Sequence, residues 1–276
     1  MFSRLSRISF IFCCLGIVFC SMFPAEKASS QVTSKYKKEL GDEWECLKNQ
    51  MFDALGITKK DWISFKDKNI YKYTKYENNL KKDRENPSTD FSKKIKVVIV
   101  NLLKDFTLKN KDISVIRCDD KVRRLSSSDN VVYASEENLC SSNASNYEIE
   151  ASFLHEFNHI LHGDDCFNYL LELLMKEKTT FLDTILYKIG KVFCQDGLSC
   201  CGRFKILYKK IRHFQEKRAD ILSGLHSIYH AKALLHFYQR LSQQSAHKGE
   251  TNTHPSLFER VDYMQKLCND LEAANS

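Results

Sequence analysis

Glu150-Ala151-Ser152-Phe153-Leu154-His155-Glu156-Phe157-Asn158-His159-Ile160-Leu161-His162-Gly163 is the stretch around which the chain is organised. Apolar Phe153, Leu154, Phe157, Ile160 and Leu161 recur at spacings of three and four, the period of a helix with one buried face. Gly163 supplies the stop, because a helix ends most readily on a residue that accepts the left-handed conformation. Inside this helix His155-Glu156-Phe157-Asn158-His159 forms an HExxH pentapeptide. Residues four apart lie one turn apart on one face, so both imidazoles can reach a single zinc ion. Glu156 sits slightly aside, towards the coordination position the protein leaves open, where a carboxylate can take a proton from water. A solvated helix turn that carries two histidines is the plain alternative, and a third protein ligand decides between them.

His162 continues the same face. Seven residues of helix rise roughly 10 Å, however, so His155, His159 and His162 cannot all approach one ion to bonding distance. His162 is therefore expected to support or pack. A metzincin would need Gly at 162 and His at 165, and the chain has His162 and Asp165, which excludes that subclass. Further on, Phe214-Gln215-Glu216-Lys217-Arg218-Ala219-Asp220 lies in a helix predicted over 203–225. Glu216 and Asp220 are four apart and share a face, so Glu216 can be the third ligand. Asp220 can then accept a hydrogen bond from the far nitrogen of a metal-bound histidine and fix its tautomer. On this stretch alone a charged helix with i,i+4 pairs is the commoner explanation, and its arrival after HExxH reverses the balance.

The blocks HEFNHILHGD, EKRAD and Thr253-His254-Pro255-Ser256 followed by Glu259-Arg260-Val261 resemble the gluzincin metallopeptidase family of the heat-shock protease HtpX and the CAAX prenyl endopeptidases. All three occur in the family's order, over a span of residues 90–275, and the segment 230–241 resembles the part that follows the ligand helix. The resemblance implies a zinc-dependent protease with one zinc ion per chain. By position, His155, His159 and Glu216 match the zinc ligands, Glu156 the catalytic base and Asp220 the carboxylate behind a ligand histidine. His254 matches the histidine of the late His-Pro block. It is a candidate donor to the oxyanion, set against an ordinary loop histidine beside a proline. Arg260 either braces His254 or forms a helix salt bridge. The implied fold class is α+β, mostly α: a zincin-type domain with a small sheet exposed at one edge, preceded by an N-terminal helical extension. The family's strand before the catalytic helix lies at the cleft edge and pairs with the substrate backbone, a role assigned to Val131, Val132 and Tyr133. One departure is that the family's frequent Asn-Ala pair is replaced by Arg123-Arg124-Leu125-Ser126-Ser127, which affects the substrate-side wall of the cleft rather than the metal site.

The rest of the chain frames this reading. With 276 residues and 43% hydrophobic content it can bury a sizeable core, divided as 1–30, a helical extension over 31–86, and a metallopeptidase domain over 87–276. Arg4 and Arg7, the almost wholly apolar run Ile8 to Phe23 and the small residues Ala28-Ser29-Ser30 read as a signal peptide or an N-terminal anchor. That places the product in the periplasm or cell envelope, or secreted, with membrane association through this segment. Eight cysteines remain beyond it, an even number that suits disulfides in an oxidising compartment, and Cys194, Cys200 and Cys201 resemble a stapled loop. The charge of +7 is mild, and no basic-aromatic module for nucleic acid is present.

Leu40, Trp44, Leu47, Met51 and Leu55 make one apolar helical stripe that ends at Gly56, and Pro87 and Ser88 mark a boundary. The mixed tyrosines and lysines from Tyr71 to Arg84 read as a solvated face. Phe91, Ile95, Val98, Leu102 and Phe106 repeat as a helix, Ile113 to Cys118 and Val131 to Ala134 as short strands, and 167–175 and 181–193 as two further helices. Asn143-Ala144-Ser145 is a glycosylation sequon, relevant only in a eukaryotic source. The function expected is an exported zinc endopeptidase acting on a protein or peptide; the alternative is a non-cleaving, zinc-stapled assembly or chaperone-like factor. An intact Glu156 argues for the former.

Overall fold

The computed structural model describes residues 29–82, 91–107, 113–117, 125–128, 130–140, 144–189, 194–244, 251 and 253–276. In chain order these form α1 (Ser30–Leu55), α2 (Lys59–Lys82), α3 (Lys93–Thr107), β1 (Ser114–Arg117), β2 (Leu125–Ser128), β3 (Val131–Ala134) and α4 (Glu136–Cys140). They continue as α5 (Asn146–His162), α6 (Asp164–Ile189), α7 (Cys194–Gly224), α8 (Ile228–Gln244) and α9 (Leu257–Asn275). The signal or anchor segment, the Pro87-Ser88 boundary, Arg123-Arg124 and Asn143 of the sequon lie outside the described residues. The architecture is α+β and mostly helical, with a small sheet and N-terminal helices.

The HExxH helix, α5, starts and stops on local chemistry. Ser145 takes an extended conformation and its side chain accepts the Glu148 N–H at 3.1 Å, while Gly163 closes the far end at φ 63 with its N–H directed to the His159 and Ile160 carbonyls. Between these caps α5 is apolar on most sides because it separates two cores. Phe153, Leu154, Phe157 and Ile160 pack with α3, β1, β3 and α4, whereas Ala151 enters the core formed by α1, α7, α8 and α9. Phe153 and Phe157 are fully buried, and each contributes on the order of 1.5–3 kcal/mol from burial. A third core joins the end of α1 to α2, α6 and α7 through Met51, Phe52, Trp62, Leu170 and Ile211.

The N-terminal stripe behaves as its spacing predicts. Leu40, Met51 and Leu55 are buried, Gly56 adopts the left-handed cap at φ 59, and α1 packs along α7. Trp44 stacks on Phe214 of α7 at 5.7 Å and meets Phe167 of α6 edge-on at 5.1 Å. At the other end of α7, a Cβ on Gly224 would stand 2.7 Å from the end of the Leu267 side chain, so the tip of that side chain occupies the space a larger residue there would need.

Several expectations are corrected. Val131, Val132 and Tyr133 do not form the sheet edge: the order is β1-β3-β2, with β1 parallel and β2 antiparallel to a central β3. All four residues of β3 are buried, as an unalternated apolar run in a doubly covered strand should be. The edge strand that packs against α5 is β2, Leu125–Ser128. The helices expected at 167–175 and 181–193 are one continuous helix, α6, up to Ile189. Cys194, Cys200 and Cys201 lie in the helical backbone of α7 and not in a stapled loop. The expected disulfide framework is also overturned, since no disulfide occurs among the described residues. Cys46, Cys166 and Cys268 are thiols on three different helices, exposed, half-buried and buried respectively. An even cysteine count constrains number and not placement. None of the described helices is long and apolar enough to cross a membrane.

Candidate metal centre

α5 and α7 cross so that one turn of each faces the other. From α5, His155 and His159 direct their Nε2 atoms into a common space, 3.1 Å apart. From α7, the Glu216 carboxylate lies across from both, with Oε2 3.4 Å from His155 Nε2 and Oε1 3.5 Å from His159 Nε2. All three side chains are 10–13% exposed, so the space is sheltered and still reachable. Donors bonded at 2.0–2.1 Å to one tetrahedral ion stand about 3.3 Å from each other. The donors here are already near that spacing, and the His/His/Glu set can coordinate a metal ion.

Behind each imidazole stands a carboxylate. His155 Nδ1 donates to Asp220 Oδ1 at 2.8 Å, which leaves Nε2 for the common space. His159 Nδ1 donates equivalently to Asp164 Oδ2 at 2.8 Å. Asp164, in the first turn of α6 directly after the Gly163 turn, was not anticipated. Its readable trace was the Gly-Asp pair just beyond HExxH.

Each carboxylate is in turn held by a buried guanidinium. Arg260 grips Asp220 with Nε at 2.9 Å and one terminal nitrogen at 2.7 Å, and its other terminal nitrogen lies 3.6 Å from Glu216 Oε2. Tyr238 donates to Asp220 at 2.6 Å and Tyr263 donates to its other oxygen. Of the two roles expected for Arg260, the salt bridge is the one formed, from α9 to Asp220 and Glu216 on α7, rather than a brace on His254. On the other side Arg218 donates to Asp164 and lies over the rings of Trp44 and Phe214, 5.0 and 5.5 Å from their centroids. A chain of contacts thus runs from α1 through Trp44, Arg218 and Asp164 to His159.

Burial opposes every charge in this cluster, and pairing overrides it. For His155 burial pulls the imidazole down, yet Asp220 and Glu216 hold its pKa up to about 9. His159 is likewise lowered by burial but raised well above its ordinary value by Asp164 and Glu216. Burial raises Glu216 and Asp220; the two histidines for the first, and Arg260 with His155 for the second, keep both carboxylates well below the usual range. Asp164 is lowered against its burial by His159 and Arg218. Two guanidiniums face three carboxylates, and half-buried Glu156 adds a fourth. With neutral imidazoles the cluster carries two uncompensated negative charges, the charge a divalent cation brings.

His254 lies at the rim. Its side chain is 52% exposed, with Nε2 3.6 Å from Glu216 Oε2 and Nδ1 2.7 Å from the Thr253 hydroxyl. Burial, followed by Arg260 and His155, outweighs Glu216 and lowers its pKa. Its loop is tied to α7 by His213 Nε2, which donates to the Thr251 carbonyl at 2.7 Å, and closes at Ser256, the cap that accepts from Glu259 N–H. His162 is exposed and lines a separate groove with Lys37, Trp44 and His226. It is not one of the donors that converge with His155, His159 and Glu216. No protein-family model, curated protein or solved structure matches the chain.

Proposed function

We propose that this chain is an exported zinc-dependent endopeptidase of the gluzincin type, akin to the family of HtpX and the CAAX prenyl endopeptidases. The observation that carries the reading is the convergence of His155, His159 and Glu216 from two helices within 3.1–3.5 Å. Two imidazoles and a carboxylate with room for a further ligand are the donor set of catalytic zinc sites. Zinc held there supplies Lewis acidity, polarising the scissile carbonyl and lowering the pKa of a water molecule towards 7. Glu156 accepts the proton of that water and returns it to the leaving amine. Asp220 and Asp164 keep both imidazoles in the tautomer that offers Nε2.

His254 steadies the oxyanion. With Nδ1 accepting the Thr253 hydroxyl, its Nε2 carries the proton and faces the cluster as a donor. Strand β2 offers its outer edge for pairing with an extended peptide, which gives affinity without reading sequence. Residues 1–30 direct export, to the periplasm, the envelope or the medium, or anchor the enzyme to a membrane.

Glu156→Gln tests the assignment. The variant is expected to retain one zinc per chain and to lose cleavage of casein, while a zinc chelator silences the wild type. Casein cleavage at the wild-type rate by the Gln variant would remove Glu156 from the mechanism. A zinc-loaded wild type that binds casein without cutting it would favour a holding factor instead.

A further inference from the structure

Beside the metal cluster a cavity of about 280 Å3 opens against His159. Ile160 of α5 lines it, as do Ile70, Tyr73 and Thr74 of α2. These three positions step by three and one and so lie on one face of that helix. Asn130, in the turn that joins edge strand β2 to β3, contributes a side. The cavity therefore stands between a metal-cluster histidine, the end of the edge strand, and a helix from which no residue enters the cluster.

We propose that this cavity holds the substrate side chain next to the scissile bond on the His159 side, and that α2 thereby selects an aliphatic or aromatic residue at that position. The inference rests on the peptidase reading and extends it to the class of sequence cut. An extended peptide that pairs with β2 and presents its carbonyl to the cluster passes Asn130 and His159 in succession, which brings one side chain over the opening. Tyr73 is 6% exposed and Ile160 3%, so the deep part is apolar. Asp165 on the lining repels an acidic side chain. The volume suits one residue of leucine or phenylalanine size and no more.

The wall is also firmly placed. Trp62 of α2 packs on Phe167 of α6 at 5.2 Å, and Tyr73 and Tyr76 meet Tyr169 at 5.6 and 4.9 Å. Helix α6 is the one whose first turn carries Asp164, the partner of His159. The pocket wall on α2 thus packs against the helix that carries the histidine support, which ties the pocket to the cluster.

Ile70 is 37% exposed and Thr74 is exposed, so a larger side chain at either position fills the opening without entering a core. Zinc-loaded wild type, Ile70→Trp and Thr74→Trp are compared on a mixed peptide pool with cleavage sites read by mass spectrometry. Binding of matched Leu-, Lys-, Asp- and Gly-bearing peptides to zinc-loaded Glu156→Gln, alone and combined with each Trp substitution, is measured in parallel by calorimetry. Wild type is expected to prefer Leu or Phe beside the scissile bond. Each Trp variant should lose about 10–100-fold in kcat/KM for such peptides, with Gly and Ala peptides within about threefold of wild type. Tyr71→Trp, 62% exposed on the same helix but outside the lining, is expected to leave the profile unchanged. An unaltered profile in both Trp variants, or a preference for Lys or Asp, overturns the proposal. A zinc-loaded wild type that cuts nothing overturns the peptidase reading. The pocket is then decided by the binding arm, where Leu-selective binding that the Trp substitutions abolish upholds it and unselective binding refutes it.

Discussion

His155 and His159 stand one turn apart on the same helix and make the same kind of hydrogen bond, yet they are supported differently. Behind His155, Asp220 has no exposed surface and accepts from the imidazole, Arg260, Tyr238 and Tyr263, groups drawn from α5, α8 and α9. Behind His159, Asp164 accepts, among the described residues, from the imidazole and Arg218 alone, on a helix that begins only two residues after α5 ends. The first half is over-determined by the main helical core. The second half depends on the α5–α6 turn and, through Arg218 over Trp44, on the N-terminal helix. The difference separates fixing the fold from adjusting the site: removing Asp220 should strike stability and metal together, whereas altering Asp164 should act mainly on metal.

The largest effect is expected from Asp220→Ala, which takes from buried Arg260 its bidentate partner, leaves it only the more distant Glu216 carboxylate at 3.6 Å, and costs about 3–5 kcal/mol in urea unfolding. A loss below about 1 kcal/mol would show that the two supports are not unequal in the way described. Next comes pH. His155 has its pKa raised from 6.5 to about 9 in the metal-free fold, so its pairing stabilises that form fully below pH 6.5 and the contribution disappears as pH rises through 9. Metal must displace the same proton. Across this window the apoprotein should weaken while metal affinity climbs, by up to about tenfold per pH unit for each proton released. Calorimetric titration at several pH values checks this, and an affinity flat from pH 6.5 to 9 would contradict it.

Asp164→Asn keeps an acceptor for His159 and removes the charge. Metal affinity should fall about 10–100-fold, with a smaller stability change than Asp220→Ala gives. Equal stability losses in the two variants would erase the contrast. Smallest is Tyr263→Phe, which deletes one of several donors to Asp220 and should cost about 1 kcal/mol with metal content unchanged.

The part of this site that is local in sequence was readable in advance. HExxH with Gly163 defines a helix and its end, and the four-residue step from Glu216 to Asp220 defines a face, because helical periodicity ties position to direction. What escaped depends on where the chain turns back. Asp164 reaches His159 only because Gly163 reverses direction at positive φ, and Arg260 reaches Asp220 across 40 residues. The sheet was misjudged for a related reason. A run such as Val131–Ala134 announces burial but not its neighbours, while Ser126–Ser128 of β2 lack the alternation that would mark a strand. The thiols of Cys46, Cys166 and Cys268 make the same point, since cysteine composition cannot say which side chains meet.

The most direct test is the metal itself. Protein purified without chelators is analysed for metal content and by X-ray absorption at the zinc edge, beside His159→Ala and Glu216→Ala. The expected result is one zinc per chain with two nitrogen donors and carboxylate oxygen near 2.0–2.1 Å, lost in both variants. Wild-type protein that takes up no zinc, or zinc retained at full stoichiometry and affinity after His159 and Glu216 are both replaced, would contradict the convergence on which the account depends.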